Sequence, residues 1–303
     1  MSAPAAPGRW IPDPAHAPVV VPAPGEGPGY WAGASSAAVA PDGSIYLAYR
    51  LRRPFGAGRG YANVVARSED GEKFETVAVI DRESLDCDSL ERPALVSLEE
   101  GGWRLYLSCA TPGTVHWRVD VLEADQPDRF DPSTARTILP GDAHTGVKDP
   151  VICRRAGTWH LWLCCHPTDS PEESDRMVTR YGSSEDGISW RLGRVALEPT
   201  PGTWDQRGTR VATVMVRDGS WFAFYDGRAN AEANAEEMTG IALGSAPDQL
   251  VAEPGPVASS GPDGSLRYLD AVVLPDGGTR FFYEASRRDG AHDLRTEYVP
   301  PCR

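Results

Sequence analysis

The sequence predicts an all-β chain folded as a five-bladed β-propeller. Three observations predict it: a two-strand unit recurs five times, its copies keep a nearly constant spacing, and Gly-containing turns separate short apolar segments throughout. The copies read "SSAAVAPDGSIYLAYR", "RPALVSLEEGGWRLYLSC", "DPVICRRAGTWHLWLCC", "RVATVMVRDGSWFAFYDGR" and "LDAVVLPDGGTRFFYEASR". Aligned on Ile45, Trp103, Trp159, Trp221 and Thr279, the second strands of successive units lie 58, 56, 62 and 58 residues apart. Three or four short strands per unit, repeated five times, is the propeller pattern.

Residues 1–30 hold eight prolines and read as an extended arm. Within it, "APVVVPAP" is placed to add an outer strand to the last blade and hide its edge; the other reading is an unstructured arm. Residues 31–300 read as a single propeller with blades starting near residues 31, 91, 147, 208 and 267. Each first strand is rich in Ala, Val and Leu without polar alternation, as suits a strand buried on both faces. Each second strand carries aromatic residues suited to packing between sheets. Segments such as "YANVVARSEDGEKFETVAVI", "TRYGSSEDGISWRLGRVAL" and "DLRTEYVP" supply outer strands, with turns at "EDGEKF" and "EDGISW". Only "RANAEANAEEMTG", Arg228 to Gly240, suggests a helical period, and its polarity favours a loop or short turn. "PPCR" reads as a loose tail.

A formal net charge of −13 argues against nucleic acid or an anionic membrane as partner, because phosphate would be repelled over most of the surface. A small-molecule ligand fits better. No run approaches the roughly 20 apolar residues of a membrane span. "MSAPAAPGRW" lacks the apolar core of a secretory signal, so a cytoplasmic location is the simplest expectation. The six cysteines, Cys87, Cys109, Cys153, Cys164, Cys165 and Cys302, form no CxxC pair and read as reduced thiols. Of the 30 basic residues only Lys73 and Lys148 are lysines, which singles out Lys148 beside Asp149.

In a propeller the first strands line the central channel, and the antiparallel second strands return to the same mouth. The strand starts offer Trp31 and Ser35, Glu91 and Arg92, Lys148 and Asp149, Thr209 and Arg210, and Arg267 and Asp270. The second-strand ends offer Arg50, Cys109, Cys165 and His166, Asp226 and Arg228, and Glu284 and Arg287. Buried without partners such groups would cost several kcal/mol each, so they pair with one another, bind a ligand, or both. A satisfied ion-pair ring that plugs the channel is therefore one reading, and a ligand site is the other.

With "KDPVI" at a strand start, glycine–tryptophan turns and five units, the chain resembles the five-bladed propeller glycosidases of glycoside hydrolase family 43 and of families 32, 62, 117 and 130. The resemblance implies a sugar or glycoside as ligand. In family 43 an Asp opening the first blade is general base, an Asp in a third-blade "DP" tunes the acid, and a fourth-blade Glu is general acid. Asp149 matches the third-blade position. The first blade opens "WAGASSAAV" without a carboxylate, and the fourth opens "GTRVATV" with Arg210 where the acid is expected. Hydrolysis needs two carboxylates about the scissile bond, so acid and base must be recruited from Glu91, Asp149, Asp270, Glu284 or Asp205. His144 or His166 can also donate a proton near neutral pH, or be an ordinary loop histidine.

The leading expectation is thus a glycosidase-like propeller with Asp149, Glu91 and Asp270 as catalytic carboxylates. Trp31 and Trp204 would give apolar stacking surfaces, and Arg92, Lys148, Arg210, Asp226, Arg267, Glu284 and His166 would contact substrate. Arg92, Arg210 and Arg267 also resemble the arginine triad of sialidases, but those are six-bladed, and "SEDGISW" is one residue short of the S-x-D-x-G-x-T-W box. Two rivals remain: a non-hydrolytic cyclase, lyase or isomerase of specialised metabolism that grips an anionic ligand through its arginines, and a binding propeller without catalysis. No cofactor is expected. A Ca²⁺ in the channel stays open, since the acidic set offers oxygen ligands without a defining spacing.

Overall fold

The structure, a computed structural model, describes residue 12 and residues 17–217, 219–257 and 266–301. The rest of the N-terminal arm and Cys302 lie outside the described residues. Twenty strands and a few short 3₁₀ turns make up the described elements, without an α-helix among them. The all-β expectation holds, and the strands fall into five four-stranded groups.

Blade one is β2 (Trp31–Val39), β3 (Ile45–Arg52), β4 (Gly60–Ser68) and β5 (Glu75–Asp81). Blade two is β6 (Ala94–Ser97), β7 (Trp103–Ala110), β8 (Trp117–Ala124) and β9 (Arg136–Leu139). Blade three is β10 (Thr145–Arg155), β11 (Thr158–Pro167), β12 (Val178–Ser184) and β13 (Arg191–Leu197). Blade four is β14 (Gly208–Arg217), β15 (Ser220–Arg228), β16 (Met238–Ala246) and β17 (Gln249–Ala252). Blade five is β18 (Arg267–Val273), β19 (Thr279–Ser286) and β20 (His292–Val299), completed by β1 (Val19–Val21). The segment "APVVVPAP" thus supplies β1, which pairs antiparallel with β20 at Val19–Arg295 and Val21–Leu294. A single parallel bridge, Trp31 to His292, joins blade five to blade one.

The ring closes through apolar seams between neighbouring blades. Ala48 and Val65 of blade one meet Leu95 and Leu105 of blade two. Tyr106 and Val119 meet Leu161 and Leu163, and Trp162 meets Ala223 and Tyr225. Phe224 meets Phe281 and Tyr283, and Phe282 and Leu294 meet Ala32 and Leu47. Each seam takes aromatic or branched side chains from the second strands, which is why the aromatics recur at the repeat spacing. The first strands β2, β6, β10, β14 and β18 contact one another in cyclic order around the channel.

The turns at "EDGEKF" and "EDGISW" are built alike. Asp70 accepts hydrogen bonds from the Glu72 and Lys73 amides at 2.8 and 2.9 Å, and Asp186 from the Ile188 and Ser189 amides at 2.8 and 2.7 Å. Gly187 needs its φ of +73°, and a Cβ there would come within 2.5 Å of the Arg104 guanidinium, so the turn is tied to blade two.

Candidate functional site

Four first strands carry a bulge near the channel mouth. Pairing shifts between Gly33 and Ser36, Lys148 and Val151, Val211 and Thr213, and Arg267 and Asp270. At three of them a non-glycine residue takes a left-handed conformation: Ala34 at φ +50°, Asp149 at +52° and Tyr268 at +48°. Such backbone costs about 1–3 kcal/mol per residue and persists where surrounding contacts over-determine it. That is why an acidic residue stands on a strand about to be buried: the bulge turns Asp149 into the channel, away from the seams on either side.

The register defines two layers. Arg50, Ser108, Cys164, Asp226 and Glu284 stand level on the second strands, facing Gly33, Glu91, Lys148, Arg210 and Arg267. The next residues inward are Ala34, Arg92, Asp149, Val211 and Tyr268. At the start of β14 Arg210 is the residue that reaches Asp149, at 3.6 Å, while Val211 packs in the seam between blades three and four. Neither β2 nor β14 carries a carboxylate, so of the three positions that resemblance to family 43 implies, only Asp149 is filled.

Asp149 is fully buried. It accepts hydrogen bonds from the Arg92 amide at 3.1 Å and the Tyr268 hydroxyl at 3.3 Å, while its own amide donates to Ser108 Oγ at 2.8 Å. Arg210 lies 3.6 Å away and Lys148 Nζ 3.9 Å. Burial pushes its carboxyl up, but Lys148 and Arg210 outweigh this and hold it below the usual range.

Arg210 is the hub of one side. It donates to Asp226 at 2.8 Å and to Glu237 at 2.5 Å, and its guanidinium lies 3.8 Å from the centre of the Tyr268 ring. Arg267 donates to Glu237 at 3.1 Å, and Arg228 stands 3.7 Å from the same carboxylate. Against burial, these three arginines hold Glu237 down to about 2. Asp226 is pushed the other way, up to about 6, by burial and by Glu237 beside it. Arg50 serves the opposite side, pairing with Glu91 and donating to Glu284 at 2.7 Å, while His292 Nδ1 stands 3.2 Å from Glu284. Asp270 lies one step deeper, where it accepts from the Ala37 amide at 2.6 Å and stands 3.5 Å from Arg92. Burial raises its carboxyl.

The sequence-predicted residues are thus mostly brought together, as partners of one another. Arg92, Asp149, Arg210, Asp226, Arg267, Asp270, Glu91 and Glu284 form one buried charged network. Trp31 is buried, stacked on His292 at 4.8 Å with Arg52 at 4.1 Å from its ring. Trp204 is used inside blade four, stacked on Tyr225 at 5.6 Å, with its ring filling the space over Gly227 and Gly240. His166 is buried over Gly146, and burial together with Lys148 pushes it down to about 4, so it is neutral at pH 7. A groove of about 450 Å³ opens at the rim of blade four, lined by Arg176, Gln206, Arg207 and Glu232, but Arg207 is tied to Asp175 at 2.6 Å.

Sequence reasoning missed Glu237, Tyr268, Arg52, Arg59 and Trp117. Glu237 stands in the polar "RANAEANAEEMTG" segment, immediately before β16, and that adjacency was the available signal. Among the described residues no cluster of three or more His, Cys, Asp or Glu side chains is arranged to hold a metal ion. No described helix is long and apolar enough to cross a membrane.

No protein-family model matches the chain, and no curated protein matches it. Solved structures do. A thermostable family-43 glycoside hydrolase is similar with a TM-score of 0.66 and 14% identity, over 88% of each chain. An α-L-arabinofuranosidase from Lactobacillus brevis is similar with a TM-score of 0.65 and 15% identity, over 89% of this chain and 90% of that one. The β-1,2-mannobiose phosphorylase from Listeria innocua, solved with β-1,2-mannobiose, has a TM-score of 0.64 and 14% identity, over 89% of each chain. The protein therefore has the fold of the glycoside hydrolase-like propellers, and it has that fold along nearly its whole length.

Proposed function

We propose that the protein binds a small sugar or glycoside over the mouth of its propeller channel and has left two-carboxylate hydrolysis behind. The observation that carries this reading is that neither β2 (Trp31–Val39) nor β14 (Gly208–Arg217), where a base and an acid would be needed beside Asp149, holds a carboxylate. The carboxylates that could replace them are engaged elsewhere. Glu91 and Glu284 are clamped by Arg50, Asp226 and Glu237 by Arg210, and Asp270 by Arg92 and the Ala37 amide. Glu237 and Glu284, held ionised by guanidinium groups, are poor proton donors, and Asp226 and Asp270, whose carboxyls burial raises, lie buried where they cannot reach a glycosidic oxygen. The carbohydrate ligand is supported by the shared fold with sugar-active propellers.

Incubation with a panel of aryl glycosides and short oligosaccharides, with product masses measured, tests this. The expected result is ligand binding with no product that has gained water. Hydrolysis of any panel member at a rate that depends on Asp149 or Glu91 would overturn the reading and restore a glycosidase with a rearranged carboxylate set.

A further inference from the structure

Among the described residues Arg52 and Arg59 at the mouth make no ion pair with a carboxylate, and Lys148 beside them has only a share of Asp149, which Arg210 also holds. We infer that Arg52, Arg59 and Lys148 form a subsite for an oxyanion, the carboxylate or phosphate group of a sugar-derived ligand; this rests on the reading that the mouth binds such a ligand.

Arg52 ends β3 directly across from Gly60, so the turn that carries Arg59 folds back beside it. Its guanidinium lies 4.1 Å from the Trp31 ring centre. Glu284, the carboxylate whose charge acts on it, is already taken by Arg50 at 2.7 Å and faces Arg267 at 3.8 Å. Burial, together with Arg50, Arg59 and Arg267 around it, pulls Arg52 down to about 9. Such a shift is what an uncompensated guanidinium among like charges undergoes.

Arg59 is held in a left-handed conformation at φ +54°, between Gly58 at φ +107° and Gly60. Gly60 is required, because a Cβ there would stand 1.8 Å from the Leu90 carbonyl oxygen. The guanidinium of Arg59 lies 5.5 Å from the Trp117 ring centre, and its Nε is buried without a hydrogen-bond partner. Asp88, which faces it, accepts from the Gly113 amide at 3.1 Å and makes no ion pair with Arg59. Lys148 Nζ stands over the same Trp117 ring at 5.0 Å. Its one acidic neighbour, Asp149 at 3.9 Å, is shared with Arg210.

Aromatic rings position these cations without neutralising them, since a ring offers a quadrupole and no net charge. Two guanidinium groups and an ammonium on one wall match an oxyanion: the planar forks grip two oxygens each, and the ammonium adds a point charge. All three side chains are partly exposed at the mouth, with Lys148 at 17%. On the same turn Phe55 is 77% exposed, with its ring centre 5.3 Å from the Arg59 guanidinium, and so offers a flat face to the body of the ligand. In a chain of net charge −13, a local cationic mouth concentrates attraction on one spot.

The test is calorimetric titration with sodium glucuronate, inorganic phosphate and glucose, at an ionic strength held constant with sodium chloride. Saturable binding of glucuronate or phosphate at least tenfold tighter than glucose is expected, and the tighter of the two anions identifies the group. Arg59→Met and Lys148→Met should each weaken that binding at least tenfold, while the exposed Lys73→Met leaves it unchanged. If Arg59→Met does not fold, Lys148→Met decides alone. Anions that bind no better than glucose, or variants that bind them as wild type does, overturn the subsite. Binding of neutral sugars without any gain from the anions removes the subsite and keeps the sugar reading; binding of phosphate with no sugar bound at all does the reverse.

Discussion

Arg210→Met is expected to cost about 3–5 kcal/mol of folding stability, the scale for removing one partner from a buried ion pair. Arg210 is 3% exposed and stands within 4 Å of Asp149, Asp226 and Glu237. Without it, three buried carboxylates are left to Arg267, Arg228, Lys148 and Arg50. Methionine fills much of the same volume, so the loss reports charge more than cavity. Urea unfolding of the two proteins checks this: a shift within 1 kcal/mol of zero would mean that the network is wetter and weaker than its geometry implies.

Glu284→Gln should have the next largest effect, about 3 kcal/mol at pH 7 by the same reasoning. Burial alone would raise this carboxyl, but Arg50, Arg267 and His292 outweigh burial and hold it well below its ordinary 4.5. A folded-state value below the unfolded one gives stability that is complete above pH 4.5 and is lost as pH falls through and below that value. The gap between wild type and variant should therefore be constant from pH 7 to pH 5 and narrow at lower pH. A gap that widens on acidification would mean that Glu284 is protonated in the folded protein.

The blades were legible because their spacing is carried by aromatic residues in the seams, and a seam residue cannot be lost without a cavity. The channel was half legible. Strand starts could be located to within a residue or two, which is enough to collect Arg92, Asp149, Arg210 and Arg267 in one list. It is too coarse to tell that Arg210 turns into the channel beside Asp149 while Val211 packs in the seam, because a bulge moves side chains by one position and so exchanges the faces of the strand. Tyr268 was passed over for the same reason. Trp204 reads from the sequence as an apolar stacking surface for a sugar, but Gly227 and Gly240 leave a slot in blade four that its indole fills. Arg59 stands in "FGAGRG", where glycines suggest a turn and give no hint that the arginine returns to the mouth.

The central claim is that the channel carboxylates are counter-ions of the fold. The most direct measurement is the stability of Asp149→Asn. Asparagine accepts the left-handed backbone as readily as aspartate and keeps the same shape, so the substitution removes little but the charge. Loss of that charge leaves Lys148 and Arg210 undercompensated, and a decrease of about 3 kcal/mol is expected. An Asp149→Asn protein as stable as wild type, or more stable, would contradict the account, for that is how a carboxylate kept for chemistry at a cost to folding behaves.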